Sequence, residues 1–162
     1  MIEITPTNAG TTILMAEQHF CGSVESVFDF FADAGNLEAI TPPWLNFKIE
    51  TPLPIDMHNG TLIDYRLRLR RIPIRWRTVI SEWEPPFRFV DTQIRGPYRV
   101  WRHTHIFEET GDGTLMQDLV EYSVPGGYLI NKLFVESDLK KIFGYRQQCL
   151  ARKLSGPMPD VV

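Results

Sequence analysis

The sequence predicts an α+β protein: an antiparallel sheet, two short helices near its start and one long helix at its end. Three observations carry this reading. Apolar residues first recur at helical spacing, at Val24, Val27, Phe28 and Phe31. They then alternate with polar ones through most of residues 61–124, the period of strands with one solvated face. Helical spacing returns after Gly126-Gly127. Strands grouped apart from helices give an α+β layout.

Each element follows from local chemistry. Residues 12–20 read as a first strand. Ser23 is placed to cap a helix, because its hydroxyl can accept from an early helical N–H. Gly35 is expected to end that helix through a positive φ. Asn36 is expected to cap a second short helix over 37–40, which Pro42-Pro43 must stop. A strand is expected over 44–50. Next, Ile63, Tyr65, Leu67 and Leu69 share one strand face, with Asp64, Arg66, Arg68 and Arg70 on the other. Ile74, Trp76, Thr78 and Ile80 repeat the pattern after a turn at Arg71-Ile72-Pro73. Residues 87–94 form a further run, and Gly96-Pro97 turns the chain. Two more strands, 98–108 and 114–124, flank Thr110-Gly111-Asp112-Gly113, a hairpin signal. The closing helix carries Leu129, Leu133, Val135, Leu139, Ile142, Phe143, Leu150 and Leu154, with a bend expected at Gly144 and an end before Pro157 and Pro159.

Composition narrows the class. A chain of 162 residues is expected to form one domain, with its core over about 10–155. Apolar residues make up 43% and charged ones 23%, which excludes a disordered tail protein and a collagen-like chain. The opening Met1-Ile2-Glu3-Ile4-Thr5-Pro6 lacks the basic and apolar segments of a signal peptide, so a cytoplasmic location is expected. Cys21 and Cys149 are read as two reduced, buried thiols.

Several stretches carry a resemblance to a known family. They are 27–31 (Val-Phe-Asp-Phe-Phe) before Asn36-Leu37; Thr41-Pro42-Pro43-Trp44; Pro85-Pro86-Phe87-Arg88-Phe89-Val90-Asp91; Gly96-Pro97-Tyr98 with Trp101 and 103–107 (His-Thr-His-Ile-Phe); and Gly113-Thr114 with Asp118, Val120, Tyr122 and Pro125. With the element order, these residues resemble the START-like (SRPBCC) superfamily, and within it the bacterial polyketide cyclase/dehydrase-like proteins. The resemblance spans roughly residues 10 to 155. It implies a helix-grip fold, a curved sheet of six to seven strands around the long helix, with a cavity between them. That superfamily includes lipid carriers, cyclases, hydratases and co-chaperones, so a fold match does not settle a task.

Strand parity gives the expected cavity lining. Trp76 inward carries Thr78 with it; Phe87 and Phe89 inward carry Asp91 and Gln93, with Val90 and Ile94 as the alternative buried set of that strand; Trp101 inward carries His103, His105 and Phe107. Met116 inward carries Asp118, Val120 and Tyr122, while Tyr65, Leu67 and Phe143 complete the wall. Trp44, after the second short helix, is a candidate gate at the cavity mouth. The pattern is that of a small-molecule site, apolar with few polar groups. The polar set, Asp91, Gln93, His103, His105, Asp118 and Tyr122, has four readings. It is a satisfied internal network, a device that orients a ligand, an acid–base pair built on His103 or His105, or a metal site. Catalysis is the less favoured of these, because these strands carry no further His or Cys and no nucleophile elbow, phosphate loop or zinc-ligand spacing is present; no cofactor or metal is expected.

The arginines are unusual. Residues 61–104 hold ten Arg and no Lys against four carboxylates, a local excess of six positive charges in a chain of net −3. Arg66, Arg68, Arg75 and Arg77 fall on the outer face of the sheet. That face is read as a solvated surface whose Arg stems cover apolar area, with contact to an anionic partner, a membrane surface or RNA as alternatives. Like charges across strands need offsetting, so carboxylates or bound anions are expected there. No DNA partner is expected. The reading that results is a protein that binds a hydrophobic or aromatic small molecule, such as a lipid, polyketide or quinone-like compound. A cofactor-free cyclase or dehydratase, or an interaction module acting through the arginines, stands beside it.

Overall fold

The structure, a computed structural model, describes residues 1–154. Pro157 and Pro159 lie outside the described residues. The elements run β1 (Ile2–Pro6), β2 (Thr12–Phe20), α1 (Val24–Ala32), α2 (Asn36–Ile40), a 3-10 turn (Pro43–Leu45), β3 (Lys48–Ile49), β4 (Leu62–Leu69), β5 (Ile72–Glu84), β6 (Arg88–Arg95), β7 (Val100–Thr110), β8 (Gly113–Ser123), α3 (Gly127–Ile130), a π-helical turn (Asn131–Val135) and α4 (Glu136–Leu154). Eight strands form one antiparallel sheet in the order β1-β2-β8-β7-β6-β5-β4-β3. This is an α+β, helix-grip architecture.

The added strand is β1, which pairs with β2 at one edge. Its alternation is only Ile2 and Ile4, and it ends on Pro6, too short a pattern to read alone. The strand expected over 44–50 shrinks to Lys48–Ile49. Pro42 and Pro43 lack N–H donors and preset φ, so the chain first makes a tight turn, which Asn46 leaves with a φ of 44°.

Ser23 caps α1 as its chemistry predicts, accepting from the Ser26 N–H at 3.3 Å. Gly35 does not take a positive φ; it is right-handed at −60°. Asp33 ends α1 instead and accepts the Gly35 N–H at 2.8 Å. Asn36 is not a cap either. It begins α2 and donates its side-chain amide to the Phe30 carbonyl at 2.9 Å, tying the two short helices together.

Two hairpins show tertiary control of turns. The turn between β4 and β5 is Arg70-Arg71, one residue earlier than expected, with φ of 50° and 71°. A two-residue turn with both φ positive matches strand twist but disfavours side chains. Arg70 is held there from outside: its guanidinium reaches Asp138 at 2.8 and 3.2 Å and lies 4.7 Å over the Phe134 ring. Between β7 and β8 the turn is Gly111-Asp112. Gly113 follows it, and a Cβ there would stand 2.0 Å from the Phe20 carbonyl oxygen, so only glycine fits.

The closing helix is interrupted at the π-helical turn, while Gly144 lies within α4. A π turn inserts a residue and rotates the preceding face. Asn131 therefore points inward, donating to Thr12 Oγ1 at 3.1 Å, whereas Leu129 and Leu133 stand 64% and 58% exposed. Within α4 the stripe Leu139, Phe143 and Leu150 is buried. It packs with the inner face of the sheet: Leu150 near Phe89, Phe107 and Met116, Leu139 and Phe143 near Leu14, Val120 and Tyr122.

Candidate functional site

A cavity of about 200 Å³ lies between α4, the two short helices and the inner face of the sheet. The same helix-on-sheet geometry makes core and cavity wall one surface. Tyr65, Leu67, Trp76, Phe89, Asp91, Trp101, His103, His105 and Phe143 all line it. So do Phe31, Tyr98 and Arg146, which parity on the strands did not single out.

Several expected residues sit elsewhere. Gln93 is turned onto the β6–β7 loop, donating to the Tyr98 carbonyl at 2.8 Å and accepting the Tyr98 N–H at 3.3 Å. Tyr122 is fully buried beneath the wall, against Leu14, Tyr98 and Trp101, and burial raises its phenol to about 12. Trp44 is 56% exposed and meets Tyr145 edge-on at 5.4 Å, while its neighbour Leu45 takes the cavity position. Asp118 lies behind the histidines. Phe87, also expected inward, precedes β6 and is 57% exposed. The thiols need the same correction: both are free, but Cys21 is exposed and Cys149 half-buried.

Adjacent strands assemble the polar cluster. The register sets Asp91 opposite His103, and His105 opposite Asp118. The hydrogen bonds run diagonally. His103 Nε2 meets Asp118 Oδ1 at 2.7 Å, and His105 Nε2 meets Asp91 Oδ2 at 3.1 Å. The remaining nitrogens complete the crossing: His105 Nδ1 is 3.0 Å from Asp118 Oδ1, out of line for a hydrogen bond, and His103 Nδ1 is 3.6 Å from Asp91 Oδ2. The imidazole centroids are 3.9 Å apart, and His105 stacks on Phe89 at 4.1 Å. Arg146 Nη2 approaches Asp118 Oδ1 at 3.5 Å, and its guanidinium lies 5.4 Å from the Phe31 ring centroid. Its Nε is buried with no hydrogen-bond partner among the described residues.

The electrostatics separate these groups. Burial opposes the charge on Asp118, but Arg146 and the two histidines outweigh it and hold the carboxyl well below its usual range. Asp91 is lowered in the same way, burial being outweighed by its bond to His105 and by the nearby cations. His105 faces both carboxylates, which overcome burial and raise it. His103 goes down, because burial and the charge of His105 prevail over its carboxylates. The cluster therefore pushes His105 towards its protonated form and His103 towards its neutral one. Asp91, His103 and His105 also hold one potential metal-ligating atom each within 4.8 Å of one another.

Arg146 had a readable signal: it follows Leu139 and Phe143 on the buried stripe of α4, a charged side chain at an apolar phase. On the outer face, carboxylates do meet the arginines. Arg77 pairs with Asp64 through two contacts of 2.7 Å, Arg66 lies 3.9 Å from Glu50, and Glu82 takes Arg102 and Arg88. No carboxylate lies within 4.0 Å of Arg68 or Arg75 among the described residues. Among those residues no helix is long and apolar enough to cross a membrane.

Comparison with known proteins agrees with this architecture. Protein CV1439 from Chromobacterium violaceum is similar, with a TM-score of 0.70 at 14% identity, covering 89% of this chain and 97% of that one. Protein Ms6760 from Mycobacterium smegmatis gives 0.66 at 14%, covering 94% and 96%. Ginseng major latex-like protein 151 from Panax ginseng gives 0.66 at 8%, covering 90% and 98%. At such identities the likeness shows the fold alone. No curated protein sequence matches the chain. The family model described as "Polyketide cyclase / dehydrase and lipid transport" matches residues 21–148, so the chain belongs to that family, whose fold carries a ligand-binding cavity.

Proposed function

We propose that the chain binds a small hydrophobic molecule in the cavity between sheet and α4, with a polar group of that molecule set against Asp91, His103, His105 and Arg146. The observation that carries this is an aromatic chamber in whose wall Asp91, His103, His105 and Arg146 cluster around Asp118. The size of the chamber narrows the class. A dry cavity of ~150 Å³ admits benzene, and drug-sized sites run to ~300–1,000 Å³. A cavity of about 200 Å³ suits one or two rings, or a short acyl chain, better than a long lipid or a tailed quinone. Native mass spectrometry of freshly purified protein tests the reading, together with titration by 1-naphthol followed through tryptophan fluorescence. A co-purifying small molecule or saturable quenching supports it. Neither, in a folded protein, would refute it.

A second reading, cofactor-free cyclisation or dehydration, draws support from the histidine pair. Two imidazoles with centroids 3.9 Å apart are pushed in opposite directions, a pattern suited to a base and an acid. Neutral His103 would accept a proton from an activated carbon, and His105 would return one to a leaving or carbonyl oxygen. Short poly-β-keto thioesters are the substrates to try. Loss of turnover in His103→Ala or His105→Ala with naphthol binding intact favours catalysis. Equal loss of both points to binding alone.

A further inference from the structure

We propose that Asp91, His103 and His105 form a site for one divalent metal ion of zinc type, with an open coordination position facing the cavity. The inference uses the same wall as the ligand reading but does not depend on an organic ligand.

The donor geometry comes first. Asp91 Oδ2 lies 3.1 Å from His105 Nε2 and 3.6 Å from His103 Nδ1. Zinc bonds of ~2.0–2.1 Å in a tetrahedron put neighbouring ligand atoms about 3.3 Å apart. The two measured edges bracket that spacing, and the three donors lie within 4.8 Å of one another. All three sit on adjacent strands of a paired sheet, a rigid support. Two imidazoles and a carboxylate form an N₂O set that suits borderline divalent ions.

The supporting residues are arranged for the same purpose. The other nitrogen of His103 is held by Asp118 Oδ1 in a 2.7 Å hydrogen bond, and that of His105 lies 3.0 Å from the same oxygen, out of line for one. A carboxylate behind a ligating imidazole selects its tautomer and raises its basicity. Here Asp118 fixes the His103 ring through Nε2, which leaves His103 Nδ1 at 3.6 Å and His105 Nε2 at 3.1 Å from Asp91 Oδ2. On binding, the ion displaces the proton in the Asp91–His105 bond, which leaves to solvent.

Open coordination follows from the lining. The three ligands are cavity residues, so a fourth position faces the chamber. With a dication bound, two aspartates, one arginine and neutral histidines leave a single positive excess. An anionic fourth ligand balances it. The site should therefore accept hydroxide, or a carboxylate, enolate or phenolate oxygen of a small cavity ligand.

Full-length protein, stripped with EDTA and dialysed, should take up one equivalent of Zn²⁺ by calorimetry. Co²⁺ should give the intense visible absorption of a four- or five-coordinate site. His103→Gln and Asp91→Asn should each weaken binding at least about 10-fold, and Asp118→Asn about 10–100-fold. His19→Ala, which removes the surface His19–Asp112 pair, should change nothing. Absence of Zn²⁺ uptake, or uptake lost in His19→Ala, overturns the proposal. If a cavity variant misfolds by circular dichroism, the wild-type Co²⁺ spectrum decides: that of the six-coordinate aquo ion overturns the site. Naphthol binding by the EDTA-treated protein is measured in parallel, so loss of the metal site and loss of the ligand reading remain distinguishable.

Discussion

His103 and Asp118 are joined by a 2.7 Å hydrogen bond across a diagonal of the sheet, although the register sets Asp118 opposite His105. That diagonal brings one carboxylate beside both imidazoles and Arg146. It makes Asp118 the hub of the buried cluster even though it does not itself line the cavity.

Asp118→Ala should therefore be costly. It leaves Arg146 and two imidazoles buried without their shared anion. Breaking one side of a buried charged pair costs about 3–5 kcal/mol. Urea denaturation should show a loss of that size; a change under about 1 kcal/mol would mean that the charges are solvated and weakly coupled.

The two histidines should act oppositely on stability in the metal-free protein. His105 is raised above its ordinary 6.5. Its contribution is fully present below pH 6.5 and is lost as pH rises through the higher folded value. His103 is lowered from 6.5. Its protonation opposes folding, so stability rises as pH climbs through its folded value towards 6.5 and then levels. Urea midpoints measured from about pH 5 to 9 should show His105→Gln removing the alkaline decline and His103→Gln removing the acidic one. Same-sign effects would contradict this assignment.

Filling the chamber should separate binding from folding. Leu67 lines the cavity from β4, and Leu67→Trp places an indole into its free volume. Overpacking costs about 1–3 kcal/mol, which a folded variant tolerates. Naphthol affinity should fall at least about 10-fold. Undiminished affinity in a folded variant would place the ligand elsewhere.

Gly113→Ala should be destabilising despite its small size. The new methyl would meet the Phe20 carbonyl oxygen at 2.0 Å, and that oxygen belongs to a strand backbone that cannot swing away. A loss of about 1–3 kcal/mol is expected, lowering Tm by roughly 2–12 °C. An unchanged Tm would show that β2 and the β7–β8 hairpin shift freely.

Much of the molecule is local and was readable along the chain. Alternation placed Tyr65, Leu67, Trp76, Phe89, Asp91, Trp101, His103 and His105 on one face, because side chains on a strand alternate whatever packs above them. The stripe of Leu139, Phe143 and Leu150 followed equally from helical period. Parity names a face, however, and not what stands over it. Tyr122 shares the inward face and is covered by helix, and Gln93 bends back to a loop. Leu129 and Leu133 fit the stripe, yet a π-helical turn rotates them to solvent. Arg146 has the phase of a core residue and the chemistry of a surface one, and only the Asp118 carboxylate beneath it explains its place. Periodicity determined the layers and faces, since each depends on a few neighbouring residues. Which polar groups meet was decided by packing α4 onto a twisted sheet, because those distances join residues far apart in the chain.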